Sequence, residues 1–279
     1  MKEQINEIRE KLLSGDKAIS SSALKSALTS TRELFHYYLK ERTTSSALEF
    51  GNAFELYLID KPSFYEQVAV MDESLRPEPS KNYQTKVNAE WKKEFYEKNA
   101  DKYIIPSGGK ESFETIVALE ALAKKHPMYN LLLEGDYQTE FKWKCPLTGL
   151  SRYARPDIVL KEAGIIIDIK TDGQDDFQRS AANNHYFLQA LDHIDGALHS
   201  GAMETVKEYY WAVFEKSEPY HVTFYQLDVE HLLPVEAVRD VTLRRIKADL
   251  ESGQEIVWRN QAIEGIKVPT WYAKNAIVH

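Results

Sequence analysis

Two aspartates and a lysine lie close together in the middle of the chain, at a spacing that suits hydrolytic chemistry. Asp157 is followed, after ten intervening residues, by Asp168 and Lys170. The segment predicts two short strands joined by a turn at residues 161–164, and residues two apart in a strand point to the same face. Asp168 is therefore expected to share a face with Lys170, and Asp157 to share one with Arg155.

This pattern is suited to binding a divalent cation. Three isoleucines at 165–167 precede Asp168 and are typical of a strand covered on both faces, so we expect Asp168 at the end of a buried segment. Two buried aspartates repel each other unless a cation lies between them. Mg²⁺, with Mn²⁺ as a substitute, would bind their oxygens, and the Ile169 carbonyl offers another ligand. Lys170 would then orient or help deprotonate the attacking water, or stabilise transition-state charge. The alternative is a set of salt bridges on an ordinary hairpin.

A third carboxylate comes from a helix predicted over residues 43–60. Gly51 lies inside this helix, where glycine costs about 1 kcal/mol relative to alanine, which indicates close approach by another backbone or a ligand. Glu55 lies four residues further on, on the same face and between apolar neighbours. It is either a solvated glutamate or a further metal ligand.

The composition excludes several other classes of protein. The 279 residues are 43% hydrophobic and 28% charged, which is typical of one large globular domain. A single cysteine, Cys145, excludes an internal disulfide framework and a multi-cysteine zinc or iron–sulfur site within one chain. The net charge of −8 argues against a wide DNA-coating surface, but a local basic groove remains compatible with it. The absence of a long apolar run and of a signal-peptide core leads us to expect an intracellular, cytoplasmic protein without a membrane span.

The remaining elements predict an α/β fold, with a mixed central sheet flanked by helices. We expect a mainly helical portion over about residues 1–130 and a sheet core over about 136–228. A strand at 137–145 precedes the hairpin, so three adjacent antiparallel strands are predicted. Serines 20–22 offer a helix N-cap or, alternatively, a phosphate contact. Further helices are predicted at 2–14, 87–96, 107–126, 175–201 and 230–251, strands at 208–214 and 221–227, and a loop at 72–88.

Six parts of the chain resemble motifs of the RecE (exonuclease VIII) group of phage and prophage nucleases, within the PD-(D/E)xK superfamily. The superfamily signature is matched by Pro156-Asp157 and Asp168-Ile169-Lys170. Residues 19–25 are similar to the N-terminal helix of the group, and residues 48–55 are similar to its LGxAFH motif. Four further parts are similar to its RPD, DxKT, QxxxY and PxWAK motifs: residues 155–157, residues 168–171, Gln189 and residues 269–274, in that order.

Two positions depart from the motifs of the group. Glu55 stands where its members usually have histidine, and His193 stands where they have the tyrosine of QxxxY. A glutamate at the first position is similar to lambda-type exonucleases and can bind a metal directly. The second departure leaves open how Gln189 and His193 grip the strand near the cleaved phosphate.

The resemblance implies a restriction-endonuclease-like core and a Mg²⁺-dependent exonuclease. Such an enzyme digests one strand of linear duplex DNA from its 5′ end and leaves 3′ tails for a single-strand annealing protein. Related enzymes form closed rings around DNA, so we expect a homo-oligomeric ring. The implied metal ligands are Asp157, Asp168, Glu55 and the Ile169 carbonyl, and Lys170 is implied to assist the attacking water. The implied DNA contacts are Arg155, Tyr186, Gln189, His193 and Ser22. Ser22 resembles a serine that receives the 5′ phosphate in related exonucleases.

Two other functions fit the same residues. An endonuclease with this fold would cut closed circular DNA, which an exonuclease cannot. A nuclease fold that has lost catalysis would bind DNA without cutting it, although such folds usually lose a metal ligand or the lysine, and this chain has both aspartates and Lys170.

Overall fold

The structure, a computed structural model, describes residues 2–41, 44–78, 83–172 and 176–253. The helices are α1 (Lys2–Ser14), α2 (Ser21–Ser26), α3 (Thr31–Leu39), α4 (Ser46–Ile59), α5 (Lys61–Gln67), α6 (Lys86–Lys98), α7 (Phe113–Ala123), α8 (Tyr129–Glu134), α9 (Phe177–Asn183), α10 (Tyr186–His199) and α11 (Leu233–Ser252). The strands are β1 (Ile19–Ser20), β2 (Val68–Met71), β3 (Tyr103–Pro106), β4 (Asp136–Tyr137), β5 (Phe141–Lys144), β6 (Ser151–Ala154), β7 (Ile158–Leu160), β8 (Ile165–Asp172), β9 (Glu208–Glu215) and β10 (His221–Gln226).

A mixed five-stranded sheet forms the centre of the fold and confirms the predicted fold class. Its strand order is β10-β9-β8-β7-β4, in which β8 and β9 are parallel and the other neighbours are antiparallel. A second sheet has the order β1-β6-β5, and β2 pairs with β3 in a third. Within the described residues, no helix is long and apolar enough to cross a membrane.

Helices cover both faces of the central sheet, and the side chains of β8 point alternately into the two cores that lie between the sheet and these helices. Ile167 and Ile169 pack into a core with α4 and α7. Ile166 packs into another core, which includes side chains of α9, α10 and Trp211. Since side chains alternate along a strand, Asp168 and Lys170 lie on the same face as Ile166, the face that α10 covers.

The predicted two-stranded hairpin is wrong in one respect: the segment forms three strands that belong to two sheets. β6 pairs with β5 in the smaller sheet, whereas β7 pairs with β4 and β8 in the central sheet. The turn at 161–164 lies where it was predicted. Arg155 and Asp157 therefore do not alternate along one strand. The predicted set of three adjacent antiparallel strands forms only with the short β4, as β4-β7-β8, because β5 and β6 pair in the smaller sheet.

The chain changes sheet without inserting a residue. Tyr137 faces Ile158 on one side of the break and Phe141 faces Ala154 on the other, so the register is the same on both sides. Pro156 lies in the break, and it cannot donate a hydrogen bond to a ladder because it lacks an N–H. The pair of long strands is thus divided between two sheets at this point.

Asp168 lies inside β8, near the end of its buried part, which runs from Ile166 to Ile169. The strand continues to Asp172 and pairs with β9 over its whole length, whereas its pairing with β7 stops at Ile167. One edge of β8 is therefore free of β7 from Asp168 onward. This open edge is the place where the chain returns from the smaller sheet.

A buried ion pair holds the smaller sheet against α10. The Arg152 guanidinium donates to Asp192 at 2.7 Å and to the backbone carbonyl of Ile19 at 3.0 Å, and both charged side chains are almost fully buried. Removing one partner of such a pair leaves an uncompensated buried charge, which typically costs about 3–5 kcal/mol. This contact fixes α10 relative to β6, which Arg155 directly follows.

Other sequence predictions need smaller corrections. The helix predicted at 175–201 is broken between α9 and α10, where His185 has a positive φ of 54°. The helix predicted at 107–126 begins only at Phe113, capped by Ser112, because β3 precedes it. The predicted loop at 72–88 lies partly outside the described residues, and the 269–274 motif wholly so. The proposed division into helical and sheet portions stays a prediction.

Candidate active site

Asp157 lies at the open edge of β8, between two other carboxylates. Its Oδ2 accepts a hydrogen bond of 2.6 Å from the backbone N–H of Ile169. Burial raises the pKa of Asp157 well above its usual range, and the carboxylates of Glu55 and Asp168 raise it further, while Lys170 and the Ile169 amide oppose the shift. The structure thus brings Glu55, which is distant in the sequence, close to Asp157 and Asp168.

Glu55 reaches this edge from α4. Its Oε1 accepts a hydrogen bond of 2.9 Å from the side-chain amide of Gln138, which follows β4. Burial raises the pKa of the neighbouring Tyr137, and so does the carboxylate of Glu55. A Cβ at Gly51, on the same helix, would meet only the Thr171 hydroxyl among the described residues, at 3.6 Å, which is an ordinary van der Waals distance. The described residues therefore show no close backbone approach that requires glycine at this position.

Lys170 lies against Asp168, as the spacing of two along a strand predicted. Its ammonium contacts Asp168 Oδ2, and its side chain is 14% exposed. Burial by itself would lower the pKa of Lys170, but the carboxylates of Asp168 and Asp157 outweigh burial and raise the pKa above its ordinary value. Lys170 is therefore a firmly held positive charge in this arrangement.

The three residues predicted on one face of the helix at 175–201 surround Asp168 and Lys170. Gln189 Nε2 lies 3.4 Å from Asp168 Oδ1, and His193 Nδ1 lies 4.0 Å from the same oxygen. The Tyr186 ring centroid lies 4.9 Å from Lys170 Nζ. All three residues lie on α10, so this helix closes the site over β8.

Lys25 also lies at the site, although the sequence analysis did not single it out. Its ammonium donates to Gln189 Oε1 at 3.1 Å and lies 5.3 Å from the Tyr186 ring centroid. Burial lowers the pKa of Lys25 to about 8, and Lys170 lowers it further, while nearby aspartates oppose the shift. Its place in the segment similar to the N-terminal helix of the RecE group was the only sequence signal.

Two cavities meet at Arg155. One of about 500 Å³ is bordered by Lys17, Ser22, Gln189 and His193, and another of about 320 Å³ is bordered by Glu55 and by side chains of α4, α5 and β4. Arg155 borders both cavities, and no carboxylate in the described part of the chain forms an ion pair with it. Of the residues predicted to contact DNA, Ser22, Arg155, Gln189 and His193 border the larger cavity, whereas Tyr186 borders neither of the two.

The donor set fits a divalent cation, although its side chains are engaged with protein partners. In the described ranges, no three His, Cys, Asp or Glu side chains converge closely enough to hold a metal as they stand. Asp168 Oδ2 accepts no well-directed hydrogen bond from the described residues, despite its contact with Lys170. The N–H and C=O of one strand residue point to the same edge, so the Ile169 carbonyl faces Asp157. Clustered carboxylates and a free carbonyl are the ligands that hard cations prefer.

His193 makes the stability of the metal-free protein sensitive to acid. The His193 side chain is buried, and its Nδ1 lies 3.1 Å from the Tyr209 hydroxyl. Burial lowers the pKa of His193 to about 4; Lys170 also lowers this pKa, while Asp168 opposes the shift. The unfolded chain binds the imidazole proton below about pH 6.5, whereas the folded chain binds it only near pH 4. The unfolded state therefore binds more protons in this window, so the stability that His193 contributes falls as pH falls through it.

The unfolding free energy of the wild type should fall between pH 7 and pH 4.5. We predict that His193→Gln makes this fall smaller by about 2 kcal/mol. Urea titrations in EDTA at several pH values measure this slope. Tyr209→Phe is the matched control, since it removes the hydroxyl partner and keeps the imidazole, and it should retain the wild-type slope. Equal slopes for His193→Gln and wild type would show that His193 does not titrate in this way.

Comparisons with known proteins identify a family and a shared fold. Residues 20–247 match the family described as a PDDEXK-like domain of unknown function (DUF3799). A crystal structure of a putative exonuclease from Eubacterium rectale is similar over 96% of each chain, with 12% identity and a TM-score of 0.60, which shows a shared fold. The structure of SSO0001 is 13% identical and covers 77% of this chain and 89% of that one, but its TM-score of 0.30 is too low to show a shared fold. No curated protein matches the sequence significantly.

The family match carries the assignment because it spans most of the chain, including β8, Asp157 and α10. Nucleases with this fold generally depend on divalent metal ions. The chain belongs to the PDDEXK-like family and has the fold and the active-site signature of PD-(D/E)xK nucleases.

Proposed function

We propose that this protein is a Mg²⁺-dependent exonuclease of the RecE type, which digests one strand of linear duplex DNA from its 5′ end. The observation that carries the proposal is the position of Asp157, held between Glu55 and Asp168 at the open edge of β8, beside Lys170. Three carboxylates in protein surroundings repel one another, and a divalent ion removes that cost. The same ion is what phosphodiester hydrolysis requires.

Asp157, Asp168 and Glu55, with the Ile169 carbonyl, would hold the ion. Mg²⁺ suits this set because it prefers a few carboxylates and keeps sites for water and phosphate oxygens, and Mn²⁺ is the expected substitute. When bound, the ion supplies a Lewis acid and offsets the charge that develops on the phosphate. The protein contributes the fixed positions of the ligands, since β8 and α4 are rigid elements.

Lys170 serves the reaction as a positive charge. The Asp168 and Asp157 carboxylates outweigh burial and raise its pKa, which makes it a poor proton acceptor near neutral pH. It therefore orients the water or phosphate and stabilises negative charge in the transition state. Lys25 lies near the same Tyr186 ring as Lys170 and donates to Gln189, so it adds a second positive charge at the site.

The larger cavity supports digestion from a 5′ end. It is bordered by Lys17 and Arg155, which carry positive charge, and by the exposed Ser22. Ser20 also borders the cavity, but its hydroxyl oxygen already accepts the capping hydrogen bond of α2, whereas Ser22 is exposed. A terminal phosphate held at Ser22 would share this cavity with Gln189 and His193, whose side chains lie near Asp168.

The RecE resemblance extends the proposal beyond one chain. It adds a homo-oligomeric ring that encloses DNA, and a single-strand annealing protein that receives the 3′ tails. It also adds action in the cytoplasm of a bacterial host by a phage- or prophage-encoded protein. A ring with the larger cavity, which Lys17 and Arg155 border, facing inward would reconcile DNA binding with the net charge of −8.

The first prediction concerns the reaction itself. We expect the protein with Mg²⁺ to degrade 5′-phosphorylated linear duplex DNA and to leave covalently closed circles intact, and we expect EDTA to stop the reaction. Lys170→Ala should lower the rate by about 100-fold or more, because it removes a fixed charge beside the reacting phosphate. Lys142→Ala is the control, since Lys142 is 71% exposed on β5 and should leave the rate unchanged.

End-labelled substrates separate the possible outcomes of this assay. Loss of label from the 5′ strand first would support the proposed polarity, and loss from the 3′ end would contradict it. Cutting of closed circles would replace the exonuclease by an endonuclease of the same fold. Binding of duplex DNA without cutting would identify a DNA-binding protein that has lost catalysis.

The second prediction concerns the 5′ phosphate. Wild type should degrade 5′-phosphorylated duplex faster than 5′-hydroxyl duplex, and Ser22→Ala should reduce this ratio about tenfold, since a hydrogen bond to a charged group contributes about 1.5–3 kcal/mol. Ser26→Ala is the matched control on the same helix, because its hydroxyl donates to the Ala23 carbonyl and does not border the cavity. An unchanged ratio in Ser22→Ala would remove Ser22 from the phosphate site.

A further inference from the structure

Gln138 has an unusual backbone conformation at the edge of the active site. Its φ is 47°, a value that among the described non-glycine residues only His185 also approaches. Residues with a Cβ pay roughly 1–2 kcal/mol for this left-handed conformation. Such strain persists only where the surrounding contacts hold the residue in place, and it is frequent at functional sites.

The contacts that hold Gln138 lead directly to two of the carboxylates. Its backbone N–H donates to the backbone carbonyl of Asp157 at 2.8 Å. Its side-chain Nε2 donates to Glu55 Oε1 at 2.9 Å and lies 3.2 Å from the Tyr137 hydroxyl. One residue therefore joins the chain segment that carries Asp157 to the helix that carries Glu55.

The position of Gln138 in the fold explains the conformation. Gln138 follows β4 where the chain leaves the central sheet for β5, and it faces Asp157 where the chain comes back. The backbone hydrogen bond continues the pairing of β4 with β7 by one residue beyond Tyr137 and Ile158. The left-handed turn then directs the side-chain amide to α4 and not along the strand.

The amide is chemically suited to holding a carboxylate near other carboxylates. The carboxylate of Glu55 raises the pKa of Asp157, which shows that the two negative charges repel each other. A lysine or arginine in place of Gln138 would neutralise Glu55 and compete with a cation for it. A neutral amide fixes one oxygen of Glu55 and leaves the negative charge of the group available to a metal.

We propose that Gln138 is a positioning residue that sets Glu55 and Asp157 at the separation that the divalent ion requires. The inference rests on the proposed function, because it takes Glu55 and Asp157 as metal ligands. Partners that orient metal ligands typically change metal affinity by about 10–100-fold when they are removed. Gln138 should therefore act on metal affinity through Glu55.

Two substitutions test this role without destabilising the turn. Asn tolerates positive φ but its amide is one methylene shorter, and Gly removes the amide and relieves the strain. We expect Gln138→Asn and Gln138→Gly each to weaken Mn²⁺ binding to the DNA-free protein about tenfold in calorimetric titrations, with no loss of thermal stability in EDTA. His185→Gly is the control for relief of strain alone and should leave Mn²⁺ affinity unchanged.

A double-mutant cycle tests whether the effect passes through Glu55. In a Glu55→Gln background, Gln138→Asn should change Mn²⁺ affinity by less than about twofold, since the group that it positions is no longer a carboxylate. Unchanged Mn²⁺ affinity in both Gln138 variants, or an equal loss in the Glu55→Gln background, would overturn the role of Gln138 alone. Failure of the wild-type protein to bind Mn²⁺ would instead overturn the proposed metal site itself.

Discussion

The site depends on the repulsion between carboxylates that the fold holds together at the open edge of β8. Asp157 lies between Glu55 and Asp168, and burial together with these neighbours raises its pKa well above the usual range. A fold that maintains such an arrangement needs positive charge to offset it. Lys170 supplies one such charge from the protein, and a divalent ion would supply the rest. Metal binding and the geometry of the strand are therefore linked physically.

The change of sheet creates the space in which this occurs. Because β7 begins only at Ile158, which pairs with Ile167, this edge of β8 has no neighbouring strand beyond Ile167, and the Ile169 amide donates to Asp157. The same break places Arg155 between the two cavities. From the opposite side, α10 brings Gln189 to Asp168, and the buried pair of Arg152 and Asp192 holds this helix to the smaller sheet. Backbone topology thus positions groups that are distant in the sequence.

The sequence predicted the local parts of the site and missed the relations between sheets. The contact of Lys170 with Asp168 follows from the period of two along a strand, and the shared face of Gln189 and His193 follows from helical periodicity. The division of the hairpin could not be predicted, because strand propensity is alike on both sides of Pro156 and only long-range pairing decides the sheet. For the same reason Gln138 and Lys25 escaped notice, since neither stands in a strong local pattern.

The most direct test of this account is an anomalous difference map from crystals of the protein containing Mn²⁺. The account predicts a peak bounded by the carboxylates of Asp157 and Asp168 and the Ile169 carbonyl, with Glu55 beside it directly or through water. It also predicts that the ammonium of Lys170 moves off the oxygen of Asp168 that binds the ion. A fully substituted crystal with no peak there, and with Lys170 still paired to Asp168, would show that these residues form a salt-bridge set and not a metal centre.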